Sequence, residues 1–183
     1  MRIFLIAGKG STGKHTIANI IKDYYAKKGE ETVITEVSKH IKMFAKEISN
    51  WTGNEAHKPR ELLQMIGSKV REELGEKFFV KRIVEDLGFY KLNYKNVIVA
   101  DIRLPFEIEY LREVLGDLDI YAIGVTRTNK IDTLTEEEKM HETETALDNY
   151  VRFDYEIENN DYVRLKHDVI SILEGIDSSE NDK

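Results

Sequence analysis

The chain has 183 residues, 33% of them charged and 41% apolar, the balance of one soluble globular domain rather than a disordered or membrane chain. A formal net charge of −7 disfavours broad adhesion to nucleic acid or to an acidic membrane face, so any phosphate site must be local. The lack of cysteine excludes disulfides, thiolate zinc sites and a cysteine nucleophile. With neither a signal-peptide core nor a run near ~20 apolar residues, the expected location is the cytoplasm.

Residues 3–7 form a continuous apolar run that reads as a strand covered on both faces. Gly8-Lys9-Gly10-Ser11-Thr12-Gly13-Lys14-His15-Thr16 follows it and opens a helix with apolar positions at Ile17, Ile20, Ile21 and Tyr24. A glycine-rich loop there can turn its backbone N–H groups around a phosphate, the helix N-terminus adds partial positive charge, and Lys14 can reach the terminal phosphates. The loop matches G-x-x-x-x-G-K, but His15 stands where a magnesium-binding Ser or Thr is usual. Gly8, Gly10 and Gly13 also satisfy G-x-G-x-x-G, and Glu36 ends the second strand, 32–37, where a dinucleotide fold keeps its ribose-binding acid. Lys14 has no role in that fingerprint, and residues 38–92 interrupt the βαβ repetition it needs, so the phosphate cradle is the leading reading.

That 38–92 stretch shows helical periods and no strand. Within residues 59–71, Leu62, Leu63, Ile66 and Val70 share one helical stripe while Arg60, Gln64, Gly67 and Arg71 share another, a face able to recognise a ligand. Gly67 inside a helix implies that something packs close to the backbone. The row Lys39, Lys42 and Lys46 reads as solvated and receives no role. The next strand, 97–100, ends at Asp101, a position from which a carboxylate faces Mg²⁺ or its waters. Arg103 follows, able to neutralise a phosphate, with Glu107 as the partner expected to fix its guanidinium. Pro105 starts a helix through Ile108, Leu111 and Leu115. A strand at 120–126, a charged stretch at 128–144 suited to a lid, a short strand at 155–157 and a disordered tail at 177–183 complete the chain. Strands alternating with helices predict an α/β fold with a mostly parallel sheet.

These residues resemble the phage-type deoxynucleoside monophosphate kinases, within the P-loop nucleoside monophosphate kinase group and with relatives among phosphomevalonate kinases. The resemblance rests on the loop, on Pro-Arg-Glu-Leu-Leu-Gln-x-x-Gly at 59–67 with Arg71, and on D-x-R-x-P-x-E through Asp101, Arg103, Pro105 and Glu107. It also rests on His-Glu-Thr-Glu at 141–144, similar to the family's H-x-S-E. His15, Phe106 and Thr143 depart from the pattern. The resemblance implies a P-loop kinase three-layer sandwich over 1–176, with a helical acceptor-binding insertion at 38–92 and a short lid at 127–144. It implies ATP held by Gly8, Gly10, Ser11, Thr12, Gly13, Lys14, His15 and Thr16, with Asn159 and Asn160 bordering the adenine. The acceptor would be held by Arg60, Gln64, Arg71 and Arg103. Catalysis would fall to Lys14, Asp101, Arg103 and Arg127, the last opening the lid, with Mg²⁺ near Asp101. The expected reaction moves the ATP γ-phosphoryl group onto a nucleoside or deoxynucleoside 5′-monophosphate, giving the diphosphate and ADP. Such a protein has a small-molecule partner, no nucleic acid and no membrane, and a homodimer is admitted. The competing readings are a small-metabolite kinase of the phosphomevalonate type and a nucleotide-binding regulatory protein with little turnover.

Overall fold

The computed structural model describes residues 1–129 and 134–181. Five strands, β1 (Arg2–Ala7), β2 (Thr32–Thr35), β3 (Asn96–Ile102), β4 (Asp119–Thr126) and β5 (Tyr155–Glu158), form one sheet in the order β2-β3-β1-β4-β5. Every neighbouring pair is parallel, so the sheet expected to be mostly parallel is wholly so. Helices α1 (Lys14–Lys27) and α8 (Tyr162–Asn181) cover one face, and α4 (Phe78–Tyr90) and α5 (Pro105–Val114) pack on the other. The period-2 alternation of strands divides β1 between the layers. Phe4 and Ile6 join Ile17, Ile21, Tyr25, Val169 and Leu173, while Ile3 and Leu5 join Phe79, Ile83, Leu87, Ile108 and Leu111.

Between β2 and β3 stand α2 (Lys39–Ser49), a single 3₁₀ turn (Glu55–His57), α3 (Arg60–Leu74) and α4. Beyond β4, Thr135 caps α6 (Glu136–Met140), and His141 caps α7 (Glu142–Thr145) by accepting the Thr143 N–H at its Nδ1, 3.2 Å away. Part of the stretch read as a lid, 130–133, lies outside the described residues.

Two expectations change. Residues 177–181 are the last turn of α8 rather than a disordered tail, and residues 182–183 lie outside the described residues. Asp177 accepts from the Tyr24 and Tyr25 hydroxyls, and Glu180 pairs with Arg2 at 2.7 Å. In α1 the deepest aromatic is Tyr25, fully buried, and not Tyr24, which is only half-buried. Tyr25 lies against Phe4 and beneath the Arg2 guanidinium.

Candidate active site

The chain passes from β1 to β2 on one side of the sheet and later places β4 on the other. The loops after β1 and β3 therefore meet at the switch in strand order, the usual ligand crevice of an open parallel sheet. A cavity of about 350 Å³ lies there, lined by the phosphate loop, the ends of β2 and β3, one face of α2 and α3, and the 134–144 segment.

The loop is shaped by close approach. Gly13 precedes α1 with φ at +92°, and a Cβ on it would fall 2.1 Å from Asn159 Nδ2. That amide nitrogen donates to the Thr12 carbonyl at 2.8 Å. Asn159 is thus a buried buttress under the loop rather than part of the cavity wall. Lys14 Nζ is buried and donates to the Gly8 and Lys9 carbonyls at 2.7 and 2.6 Å. Burial, aided by the nearby Arg103 guanidinium, holds its ammonium well below the usual lysine value, against the attraction of Asp101 and Glu144. His15 turns to Glu36, 2.6 Å away, and Lys42 pairs with the same carboxylate at 2.6 Å. Against the cost of burial, these two partners hold Glu36 down at about 2. The acid that a dinucleotide fold would offer to ribose is therefore already engaged.

Asp101 lines the cavity and is held in place there. Its oxygens accept the backbone N–H groups of Val37 and Ser38, and the Ser38 hydroxyl, tying the end of β2 to the end of β3. Among the described residues no group of three or more His, Asp or Glu side chains converges as a metal site.

Glu107 is not the partner of the Arg103 guanidinium. Its Oε2 accepts the backbone N–H groups of Arg103 and Leu104 at 2.8 and 3.1 Å, capping the start of α5. The guanidinium instead meets Glu144 at 2.6 Å. Burial pushes the Glu107 carboxyl up to about 7 from an ordinary 4.5, against those two donors. The folded chain then keeps a proton that the unfolded chain releases between these values, so native stability falls as pH rises through that window. Glu107→Gln should remove the dependence. Denaturant unfolding at pH 4.5 and pH 8 is expected to show wild type losing about 3 kcal/mol relative to the variant. Parallel stability curves would mean that folding leaves the affinity of the Glu107 carboxyl for its proton unchanged.

The face read on α3 does line the cavity. Arg60, Gln64, Gly67 and Arg71 all contribute to its wall. A Cβ on Gly67 would sit 3.2 Å from Ile41 Cδ1 and 3.4 Å from Arg71 Nη1, so the glycine admits both α2 and the curled-back arginine. Among the described residues, neither Arg60 nor Arg71 forms an ion pair. Arg127 is not brought into the wall: it is exposed, donates to Asn129 at 3.1 Å and sits on a loop tied to Asn160.

Sequence reasoning missed Lys42, Lys58, His141 and Glu144 as cavity residues. Burial lowers the Lys58 ammonium despite its pairing with Glu55. Lys42 belongs to a row that looks solvated until Glu36 is seen beneath it. His141 and Glu144 lay inside the matched His-Glu-Thr-Glu segment, which was their only sequence signal.

No family model and no curated protein matches the chain. Among solved structures the fold is similar to shikimate kinase from Acinetobacter baumannii in complex with shikimate, with TM-score 0.51, 15% identity, and coverage of 97% of this chain and 93% of that one. It is also similar to shikimate kinase from Bacteroides thetaiotaomicron, with TM-score 0.50, 15% identity and coverage of 97% and 98%. The APS kinase CysC of Mycobacterium tuberculosis in complex with AMPPNP and APS matches at TM-score 0.49 and 15% identity, over 94% of this chain and 97% of that one. The fold is thus the α/β fold of P-loop kinases, with an all-parallel five-stranded sheet flanked by helices.

Proposed function

We propose that the chain transfers the γ-phosphoryl group of ATP to the 5′-phosphate of a nucleoside or deoxynucleoside monophosphate. The observation that carries this reading is one cavity with two basic walls, the phosphate loop with Lys14 on one side and Arg60 and Arg71 on the other. A donor polyanion and an acceptor that already bears phosphate would meet between them. An acceptor phosphate is ionised and nucleophilic at pH 7, so the reaction needs no general base. Lys14 and the loop amides neutralise the transferring group, Arg103 bridges toward the acceptor, and the 134–144 segment excludes water. Mg²⁺ brought in with ATP would be held by the nucleotide's phosphates near Asp101, whose oxygens already accept the Val37 and Ser38 N–H groups, and would supply further neutralisation of phosphate charge. Arg127 and Asn159 belong to the donor end, where the loops after β4 and β5 would flank the base. The solved neighbours named for shikimate support the general kinase reading through fold alone.

A second acceptor class has an observation in its favour. Among the described residues of the cavity wall there is no Phe, Tyr or Trp, its rings being the imidazoles of His15 and His141, and its apolar members, Val37, Ile41, Leu63, Ala100, Leu104 and Leu134, are aliphatic. A phosphorylated aliphatic metabolite would fit such a wall without base stacking. An ADP-release assay over nucleoside and deoxynucleoside monophosphates, phosphomevalonate and shikimate separates the two. Turnover with at least one nucleotide acceptor is expected. Turnover confined to phosphomevalonate would replace the first reading with the second, and ATP binding by calorimetry without turnover would point to a regulatory protein.

A further inference from the structure

Three parts of the cavity meet at Glu144. Its side chain is 9% exposed. Its Oε2 accepts the Gly10 N–H of the phosphate loop at 2.8 Å, and its Oε1 accepts Arg103 Nη1 at 2.6 Å. The helix that carries it, α7, is docked from two sides. Because His141 Nδ1 accepts the Thr143 N–H, the ring proton sits on Nε2, which donates to Ser68 Oγ on α3 at 3.1 Å. Asp148, just beyond α7, pairs with Lys9 of the phosphate loop at 2.5 Å. Glu107, the nearer carboxylate in sequence, is occupied by backbone N–H groups. The direction of the Arg103 guanidinium is therefore set by a residue 41 positions away, and only while α7 is docked.

We infer that Glu144 is a positioning residue, by which the docked 134–148 segment aims the Arg103 guanidinium at the phosphoryl group in transfer. The inference rests on the phosphotransferase reading above. A paired, half-buried guanidinium keeps one orientation at little entropic cost, whereas an unpaired arginine must be ordered anew at each turnover. The carboxylate touches neither nucleotide in this role. Its loss should fall on kcat, with both KM values held within about threefold.

The test is a set of substitutions read by steady-state kinetics, with melting curves to confirm folding. Glu144→Gln keeps the shape but loses the charge, and is expected to lower kcat by about 10- to 100-fold, the equivalent of one charge-assisted hydrogen bond. Glu144→Asp keeps the charge on a shorter stem and is expected to recover most of that loss, because the long arginine side chain can follow it. A packing role would give the reverse order. In an Arg103→Ala background, Glu144→Gln should cost nothing further. Wild-type-like kcat in Glu144→Gln, a slower Asp than Gln variant, or losses that multiply in the double variant would each overturn the inference. A wild-type chain that releases no ADP with any acceptor would instead refute the phosphotransferase reading, and the role of Glu144 would fall with it.

Discussion

Replacing Lys14 by alanine is expected to lower phosphoryl transfer by roughly two to three orders of magnitude, the cost of removing one preorganised donor from a site of developing negative charge. The ammonium is buried among the loop carbonyls of Gly8 and Lys9 and beside Arg103, Asp101 and Glu144, where solvent screens little. The fold should survive, because the removal of the side chain relieves a desolvated charge while leaving two carbonyls to water. Turnover together with far-UV circular dichroism checks this. Native spectra with unchanged turnover would mean that the cradle does not hold the reacting phosphates.

Arg71→Ala should act on the other substrate. Its guanidinium folds back over Gly67 into the cavity and, among the described residues, forms no ion pair. Its loss is expected to raise the acceptor KM by about 10- to 150-fold, equivalent to about 1.5–3 kcal/mol for a charged hydrogen bond, with the ATP KM nearly unchanged. Initial rates over a grid of both substrates separate the two constants. An equal loss for ATP would place Arg71 at the donor end and remove α3 from acceptor recognition.

Much of this architecture was legible because its signals are local. The apolar run of β1 followed by Gly8–Lys14, the stripe Arg60, Gln64, Gly67 and Arg71, and the strand ending at Asp101 each rest on spacing within about fifteen residues. What escaped depended on partners far away in the chain. The sequence shows Asp101 near the end of its strand but not the Val37 and Ser38 amides that arrive from β2 to hold it. Glu107 reads as the mate of Arg103 at four residues' distance, yet the cap of α5 claims it and Glu144 takes its place. Residues 177–181 read as tail because acids and serines look solvated. Their order comes from Arg2, Tyr24, Tyr25 and Lys28 at the opposite end of the chain.

That last arrangement bears on when the protein can fold as it is synthesised. Arg2 finds Glu180 across 178 residues, and β1, the central strand, gains its parallel neighbours only from β3 and β4. A nascent chain that ends within the α2–α4 region holds β1 and β2, which are not adjacent in the sheet and cannot pair with each other. Its apolar strands stay unpaired until β3 emerges, and the layer over Phe4 and Tyr25 stays open until α8 is made. Sequence-distant pairings of this kind make assembly slow and late. The central strand is therefore the first made and among the last secured, and through that interval its apolar residues depend on staying clear of other unfinished chains.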